Sequence, residues 1–198
     1  MEIDQVLLAK NQIERDYGRY QLGMLVALAS VVMLFTGLSS AYIVRAASAP
    51  DWLALPLPRL LWVSSGVLLF SSATLERARR SLKQDDNHNY RRWLATTSIL
   101  GTTFLVSQLL VWRQLVRQGV YIATHPHSSF FYLLTALHGL HLAGGLLALT
   151  YLLIRHRHAA PNKGAKAKRV ATTDAVTIYW HFMDALWIYL FVLLFLWR

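Results

Sequence analysis

The chain has 198 residues, of which 55% are hydrophobic and only 15% are charged. Soluble domains carry roughly 25% charged residues, so this composition excludes an ordinary water-soluble fold and indicates a protein of the lipid bilayer. There is no cysteine, which excludes disulfides and thiolate metal sites, and the formal net charge of +10 requires an anionic partner or a topological explanation.

Residues 1–20 form a polar stretch of mixed charge, which we expect to be a cytoplasmic N-terminal segment. A secretory signal peptide would show a basic start, a short apolar core and a cleavage site of small residues, and this order is missing. We therefore interpret the first apolar stretch as a retained helix. Residues 21–198 then form one transmembrane domain.

Five apolar stretches each approach the ~20 residues that a helix needs to cross a ~30 Å hydrocarbon layer. The predicted fold class is an all-α integral membrane protein, a bundle of five transmembrane helices. The second stretch is short and follows a proline-containing segment, 52–58, which we expect to be an interfacial loop. The predicted spans are 22–44, 60–75, 93–112, 130–154 and 176–197.

Most of the 20 Lys and Arg residues lie in the N-terminal segment and in the loops after the second and fourth spans. The positive-inside rule then places the N-terminus in the cytoplasm and the C-terminus outside, across a bacterial inner (plasma) membrane. The basic residues do not form one groove with interleaved aromatic side chains, so we predict anionic phospholipid and no nucleic acid as their partner. Those predicted to face lipid are Arg77, Arg80, Arg91 and Arg92.

Four ionisable side chains lie inside the predicted spans: His138 and His141 in the fourth, His181 and Asp184 in the fifth. Each pair has i, i+3 spacing, which puts both members on one side of their helix. An ionisable group in lipid is costly and normally faces the protein interior. These residues are therefore the main candidates for a structural or functional site.

Three interpretations of the four residues are open. They could bind iron or haem b, although we expect His181 near the cytoplasmic start of the fifth helix, at a different depth from His138. His181 and Asp184 could relay protons. We favour a buried hydrogen-bonded cluster in which Asp184 pairs with a histidine or a hydroxyl and ties the helices together.

Further polar and small residues predict close contacts between helices. Ser107 and Gln108 of the third span are expected to donate hydrogen bonds to neighbouring helices. Glycines of the fourth span would allow close backbone approach, and one stripe of that helix fits a contact face. This stripe consists of Phe131, Thr135, His138, Leu142 and Gly145.

Two motifs are specific: FYLLTALHGLHLAGG at 131–145 and YWHFMDALWIYLFVLLFLW at 179–197. Together with LGMLVALASVVMLFTGLSSAYIV at 22–44 and GTTFLVSQ at 101–108, they resemble subunit III of the haem–copper oxidases (cytochrome c oxidase subunit 3) in order and spacing. The chain is similar to the five-helix bacterial-type form of that family. The orientation obtained from the charges agrees with the resemblance.

The resemblance implies a non-catalytic subunit that has no redox cofactor of its own. Haem and copper are expected in the partner, the catalytic oxidase subunit I, which this chain would stabilise together with other respiratory complex subunits during aerobic electron transport. The chain would also support proton uptake, and phospholipid could bind to it. The motifs make these residues structural or proton-network candidates: His138, His141, Tyr179, Trp180, His181 and Asp184.

Two positions depart from the family pattern. Val31 stands where the family commonly has an intramembrane glutamate, and Val111 stands where a glutamate often follows the glutamine of the third helix. Loss of the first carboxylate removes its hydrogen bond to a histidine. The departures leave an accessory subunit of a nitric oxide reductase as an alternative, besides a membrane anchor that binds haem b.

Overall fold

The computed structural model describes residues 2–48, 58–123, 125–155 and 163–196, with side chains described at Gly18 and in 22–48, 58–123, 125–154 and 166–196. Within these ranges the regular structure is entirely helical, which confirms the all-α prediction. The five helices are α1 (Glu2–Ser48), α2 (Leu60–Lys83), α3 (Asn87–Arg117), α4 (Pro126–Arg155) and α5 (Lys163–Leu196).

Four of these helices contain segments that are long and apolar enough to cross a membrane. They are Leu22–Ser48, Asn87–Arg117, Pro126–Ile154 and Lys166–Leu196. The 24 residues of α2 do not meet the same standard, because charged side chains occupy its second half. The prediction of an apolar helical membrane protein is thus confirmed for four spans.

The helices are longer than the predicted spans, and this corrects the prediction of two charged loops. Arg77 and Arg80 lie within α2, Arg91 and Arg92 lie within α3, and only residues 84–86 connect them. Likewise α5 begins at Lys163 instead of residue 176. A helix satisfies its own backbone hydrogen bonds, so it can continue past the bilayer where long basic side chains reach water. Of the predicted interfacial loop, residues 52–57 lie outside the described residues.

The turn between α2 and α3 is closed by local hydrogen bonds. Asp85 adopts a left-handed conformation with φ of 62°, and the carboxylate of Asp86 accepts the backbone N–H of Asn89 at 3.0 Å as the N-cap of α3. This hydrogen bond lowers the pKa of Asp86. The short turn makes α2 and α3 an antiparallel pair, along which the two helices pack closely.

The centre of the bundle is built around the indole of Trp180 on α5. This ring lies between Gly101 of α3 and Gly145 of α4, where an added Cβ would come within 2.7 Å and 3.2 Å of it respectively. Its Nε1–H donates to the hydroxyl of Ser71 on α2 at 3.0 Å. The two glycines are needed here because any side chain would occupy the space of the indole.

A second aromatic layer lies two helical turns along α5. The ring of Trp187 meets that of Phe104 on α3 edge to face, with centroids 4.9 Å apart, and its Nε1–H donates to Ser65 of α2 at 2.9 Å. Both side chains are fully buried. Two indoles therefore join α5 to α2 by hydrogen bonds and to α3 by ring packing.

Candidate functional site

His138 lies in the aromatic layer of the core. Its ring centroid is 5.0 Å from that of Trp187 and 6.0 Å from that of Phe104, and the side chain is fully buried. Neither ring nitrogen has a hydrogen-bond partner among the described residues. The predicted contact face of α4 is confirmed, because every member of that stripe is buried.

His141 is only half-buried and faces α1. Its Nδ1 donates to the carbonyl oxygen of Leu137 at 2.7 Å, and its ring meets that of Phe35 at 5.8 Å. The hydroxyl of Tyr179 on α5 donates to the carbonyl oxygen of His141 at 2.9 Å. The two histidines of α4 thus contact different neighbours in spite of their i, i+3 spacing.

His181 and Asp184 converge on one hydroxyl of α2. The Nδ1 atom of His181 and the Oγ atom of Ser72 form a short hydrogen bond, and the Asp184 carboxyl lies beside the same hydroxyl. Neither oxygen of Asp184 has a hydrogen bond of normal geometry to any described residue. The predicted pairing of Asp184 with a hydroxyl therefore stays a prediction: Ser72 lies beside the carboxyl group, and its hydroxyl is engaged by His181.

The expected position of His181 near the start of the fifth helix was wrong. It lies about five turns from the start of α5, because that helix begins at Lys163. Trp187 contacts His138 and Trp180 packs on Gly145, which sets the antiparallel register of α4 and α5. His181 therefore lies roughly 9 Å along the bundle from the level of His138, which agrees with the expected difference in depth. The imidazoles also face different partners: Trp187 for His138, Phe35 for His141 and Ser72 for His181. Among the described residues, no group of three His, Asp or Glu side chains is arranged to hold a metal.

Four serines of α2 take part in hydrogen bonds between helices: Ser64, Ser65, Ser71 and Ser72. Gln108 of α3 donates to the hydroxyl of Ser64 at 3.2 Å, which confirms its predicted role between helices. The same prediction was wrong for Ser107, whose hydroxyl donates to the carbonyl oxygen of Phe104 in its own helix at 2.6 Å. A serine hydroxyl in a helix can donate to a carbonyl of the preceding turn, and Ser107 makes only this hydrogen bond among the described residues.

A network of ion pairs at the basic end of the bundle was not anticipated. The Nε of Arg79 on α2 lies 2.6 Å from Asp174 Oδ1 on α5, and Lys83 approaches the same carboxylate at 3.8 Å. Glu76 pairs with Arg80 at 3.1 Å. Partial burial alone would raise the pKa of Glu76, but the hydrogen bond from Arg80 and the charge of Arg79 hold it below the usual value.

The four basic residues predicted to face lipid are all exposed. The guanidinium of Arg77 lies over the ring of Trp93, 5.0 Å from its centroid, a cation–π contact. Arg80 forms the ion pair with Glu76 described above. Exposure is compatible with contact to lipid headgroups but does not test it, so the lipid contact stays a prediction.

At the end of the bundle opposite the ion pairs, α1 is attached to α4 through Tyr42. Its hydroxyl and the Nε2 of His127 on α4 are 3.2 Å apart in a buried site, and its ring packs edge to face on Phe130. Val31 and Val111, at the positions of the missing glutamates, are both buried among apolar side chains. Sequence reasoning missed the tyrosine–histidine bond, because its partners are separated by 85 residues.

The fold and the site together identify the class of this protein. It is a multi-pass helical membrane protein in which buried polar side chains connect the helices. The sequence model of the family described as Cytochrome c oxidase subunit III matches residues 15–198. The chain therefore belongs to the cytochrome c oxidase subunit III family.

Its similarity to individual relatives extends over most of the sequence. It is 34% identical over 178 residues to the probable cytochrome c oxidase subunit 3 of Mycobacterium tuberculosis (strain ATCC 25618 / H37Rv), covering 88% of this chain and 86% of that protein. It is 34% identical to the probable cytochrome c oxidase subunit 3 of Nocardia farcinica, covering 86% and 84%. It is 31% identical to the cytochrome c oxidase subunit 3 of Synechocystis, covering 88% and 74%.

These findings confirm the family resemblance and the main functional prediction, that of an oxidase subunit III. Proteins of this family do not carry the catalytic metal centres of the oxidase, and they act in a complex with its other subunits. The roles of His138, His141, Tyr179, Trp180, His181 and Asp184 are not assigned by the family match and stay predictions.

Proposed function

We propose that this chain is the subunit III of a respiratory haem–copper oxygen reductase that stabilises catalytic subunit I and supports proton uptake. The observation that carries the proposal is the family match along residues 15–198. Haem and copper belong to the partner subunit. The relatives named above are cytochrome c oxidase subunits, which favours this function over an accessory role in nitric oxide reduction and over a haem b anchor.

The proposed topology has five spans, with α2 as the span of lowest hydropathy. Its first half, residues 60–75, is apolar, and it packs along α3 and α5, which both contain membrane-crossing segments. Buried serines of α2 accept the indole N–H groups of Trp180 and Trp187. These contacts support a position of α2 at the same depth as α5.

The N-terminus lies on the cytoplasmic side of a bacterial plasma membrane in this proposal, and the C-terminus lies outside. Support comes from the basic residues at one end of the bundle, where the turn of residues 84–86 meets the start of α5. Lys166 pairs there with Asp85 at 2.6 Å, and Arg169 donates to Asn87 at 3.2 Å. The exposed arginines of this end (Arg77, Arg80, Arg91 and Arg92) would contact anionic phospholipid headgroups.

Purification of the complex through a tag on this chain tests the function. We expect mass spectrometry to identify a haem–copper oxygen reductase, and we expect the spectrum of haem to follow the large subunit when the complex is dissociated. Recovery of a nitric oxide reductase would contradict the proposal. A haem absorption band that stays with this chain alone would contradict it as well.

The lack of native cysteine makes the orientation directly measurable. Single cysteines replace exposed residues at the two ends of the bundle, Arg92→Cys and Tyr121→Cys, and intact spheroplasts are treated with a membrane-impermeant thiol reagent. We expect labelling at residue 121 and protection at residue 92 until the cells are opened. The reverse pattern would overturn the proposed topology.

A further inference from the structure

One side of the α2–α5 contact carries a continuous row of polar groups. At the basic end stand Arg79 and Asp174, 2.6 Å apart, followed one turn earlier on α2 by Glu76. The charges of Glu76 and Arg79 both act on His181. His181 contacts Ser72, and Ser72 lies beside Asp184. The row therefore leads from the charged end of the bundle to a carboxyl group in its interior.

Asp184 is the innermost group of this row. The residue is only 4% exposed, and neither of its oxygens is bonded within the described part of the chain. A buried carboxylate without a hydrogen bond or a countercharge is very costly. A proton removes that cost, and a path to the charged end of the bundle would let the group gain and lose it. The next titratable groups along the row are His181 on α5 and Glu76 on α2, whose charge acts on His181. On the α4 side, His138 contacts Trp187, which lies one turn along α5 from Asp184.

We propose that Ser72 and His181 form a proton relay that connects the basic end of the bundle to Asp184. This inference deepens the proposed function, and rests on it only for the use that the oxidase makes of the proton. The relay gives this chain an intramembrane carboxyl group that can be reached from one side of the membrane. Val31 and Val111, at the two positions where relatives often have glutamate, supply none.

Each transfer in the relay exchanges one N–H or O–H bond for another. A proton binds the Nε2 atom of His181 from the side of Glu76, and the ring releases its Nδ1 proton to the Ser72 oxygen. The same hydroxyl releases its own proton to a carboxylate oxygen of Asp184. The result is a neutral Asp184, an intact Ser72 and a neutral His181 of the other tautomer. The first tautomer returns when the same steps run in reverse: Asp184 gives its proton to Ser72, Ser72 gives its own to Nδ1, and Nε2 releases a proton at the Glu76 side.

Ser72 is suited to this role because its side chain touches both partners. Its hydroxyl is engaged with His181 and lies beside Asp184 without a hydrogen bond of normal geometry. A rotation about one side-chain bond changes the group that the hydroxyl addresses. Ser71, the preceding residue, is fully buried and accepts the indole N–H of Trp180. It therefore provides a matched control on the same helical turn.

The relay is tested in the full-length chain reconstituted in lipid nanodiscs, without other oxidase subunits. Infrared difference spectra with ¹³C-labelled aspartate follow the carbonyl stretch of the protonated carboxyl group after a pH jump, and loss of the band in Asp184→Asn assigns it. We expect Ser72→Ala to slow the appearance of this band by about 100-fold with its final amplitude retained. Ser72→Thr should restore the rate, and Ser71→Ala should leave it unchanged.

An unchanged rate in Ser72→Ala would overturn the relay. Equal slowing in Ser71→Ala would do the same, because it would show that helix packing and not the hydroxyl controls access. A wild-type spectrum without a protonated Asp184 band at any pH would also overturn it. If the labelled band depends on Ser72 while the purified complex contains no oxygen reductase, the relay stands and the proposed function fails. If the oxidase is recovered and the rate does not depend on Ser72, the relay alone fails.

Discussion

Helices α1 and α5 are both apolar enough to cross a membrane, yet they are attached to the bundle in different ways. α5 buries both indoles of its motif and uses their N–H groups to bind α2. In the described part of α1 from residue 22 onward, the buried side chains form one narrow stripe of Val31, Phe35, Ser39 and Tyr42. The rest of that helix is mostly exposed.

The difference shows what holds helices together in lipid. Lipid chains are as apolar as leucine, so burying a leucine of α1 against another helix gains little from the hydrophobic effect. Association depends instead on close packing and on hydrogen bonds between helices. By this measure the stable unit is the contact region of α2, α3 and α5, and α1 is attached mainly by Phe35 and Tyr42.

The largest effect is expected from Phe104→Ala in the aromatic layer. The substitution leaves a cavity beside Trp187 and His138 in a fully buried site, and we expect it to reduce the free energy of unfolding by about 3 kcal/mol. Reversible unfolding in mixed micelles measures the change. Leu140→Ala is the control, because Leu140 is 68% exposed. Equal losses in both variants would show that the aromatic layer is not the stable centre.

The next effect concerns the space around Trp180. An added Cβ at Gly101 would lie 2.7 Å from the indole and 3.0 Å from Leu146 Cδ2, so Gly101→Ala must displace one of them at a cost of about 2 kcal/mol. Gly144→Ala is the matched control, because no atom lies within 4 Å of its added Cβ. The same unfolding assay should show a loss only for Gly101→Ala, together with a changed Trp fluorescence spectrum.

The regular features of this molecule were predictable from the sequence because they repeat along each helix. Apolar runs of sufficient length predicted the helices, and the stripe of α4 around Thr135 and Leu142 followed from helical spacing. The ionisable residues of the last two spans were expected to face the interior, and His138 and Asp184 do so.

The partners of these residues could not be predicted, because the contacts join positions far apart in the chain. Arg79 and Asp174 are separated by 95 residues, and no local pattern relates them. The helix ends were missed because basic residues beside an apolar run indicate that the span has ended. A helix that leaves the bilayer can nevertheless continue through them, since their long side chains reach water. The partner of Asp184 could not be predicted either. His181 and Asp184 both lie at the hydroxyl of Ser72, and sequence spacing does not decide which of them forms the hydrogen bond.

The third expected effect is at the basic end, where Asp174 ties α5 to α2. Asp174→Asn removes the charge that Arg79 and Lys83 share, and we expect a loss of about 1 kcal/mol, moderated by solvent at the half-exposed partners. Arg80→Gln is the control, since its ion pair lies within one helix and the side chain of Arg80 is 72% exposed. A loss that persists unchanged in high salt would argue against an electrostatic origin.

The smallest effect tests the attachment of α1 directly. Tyr42→Phe removes the hydroxyl that contacts His127 Nε2 at 3.2 Å but keeps the ring that packs on Phe130. We expect about 0.6 kcal/mol, the typical size of a hydrogen bond between membrane helices. Hydrogen exchange should show the change in the outer half of α1, because α5 is held independently by its indoles. Equal loss of protection in α5 would mean that α1 is an integral part of the core, and the contrast between the two helices would then be wrong.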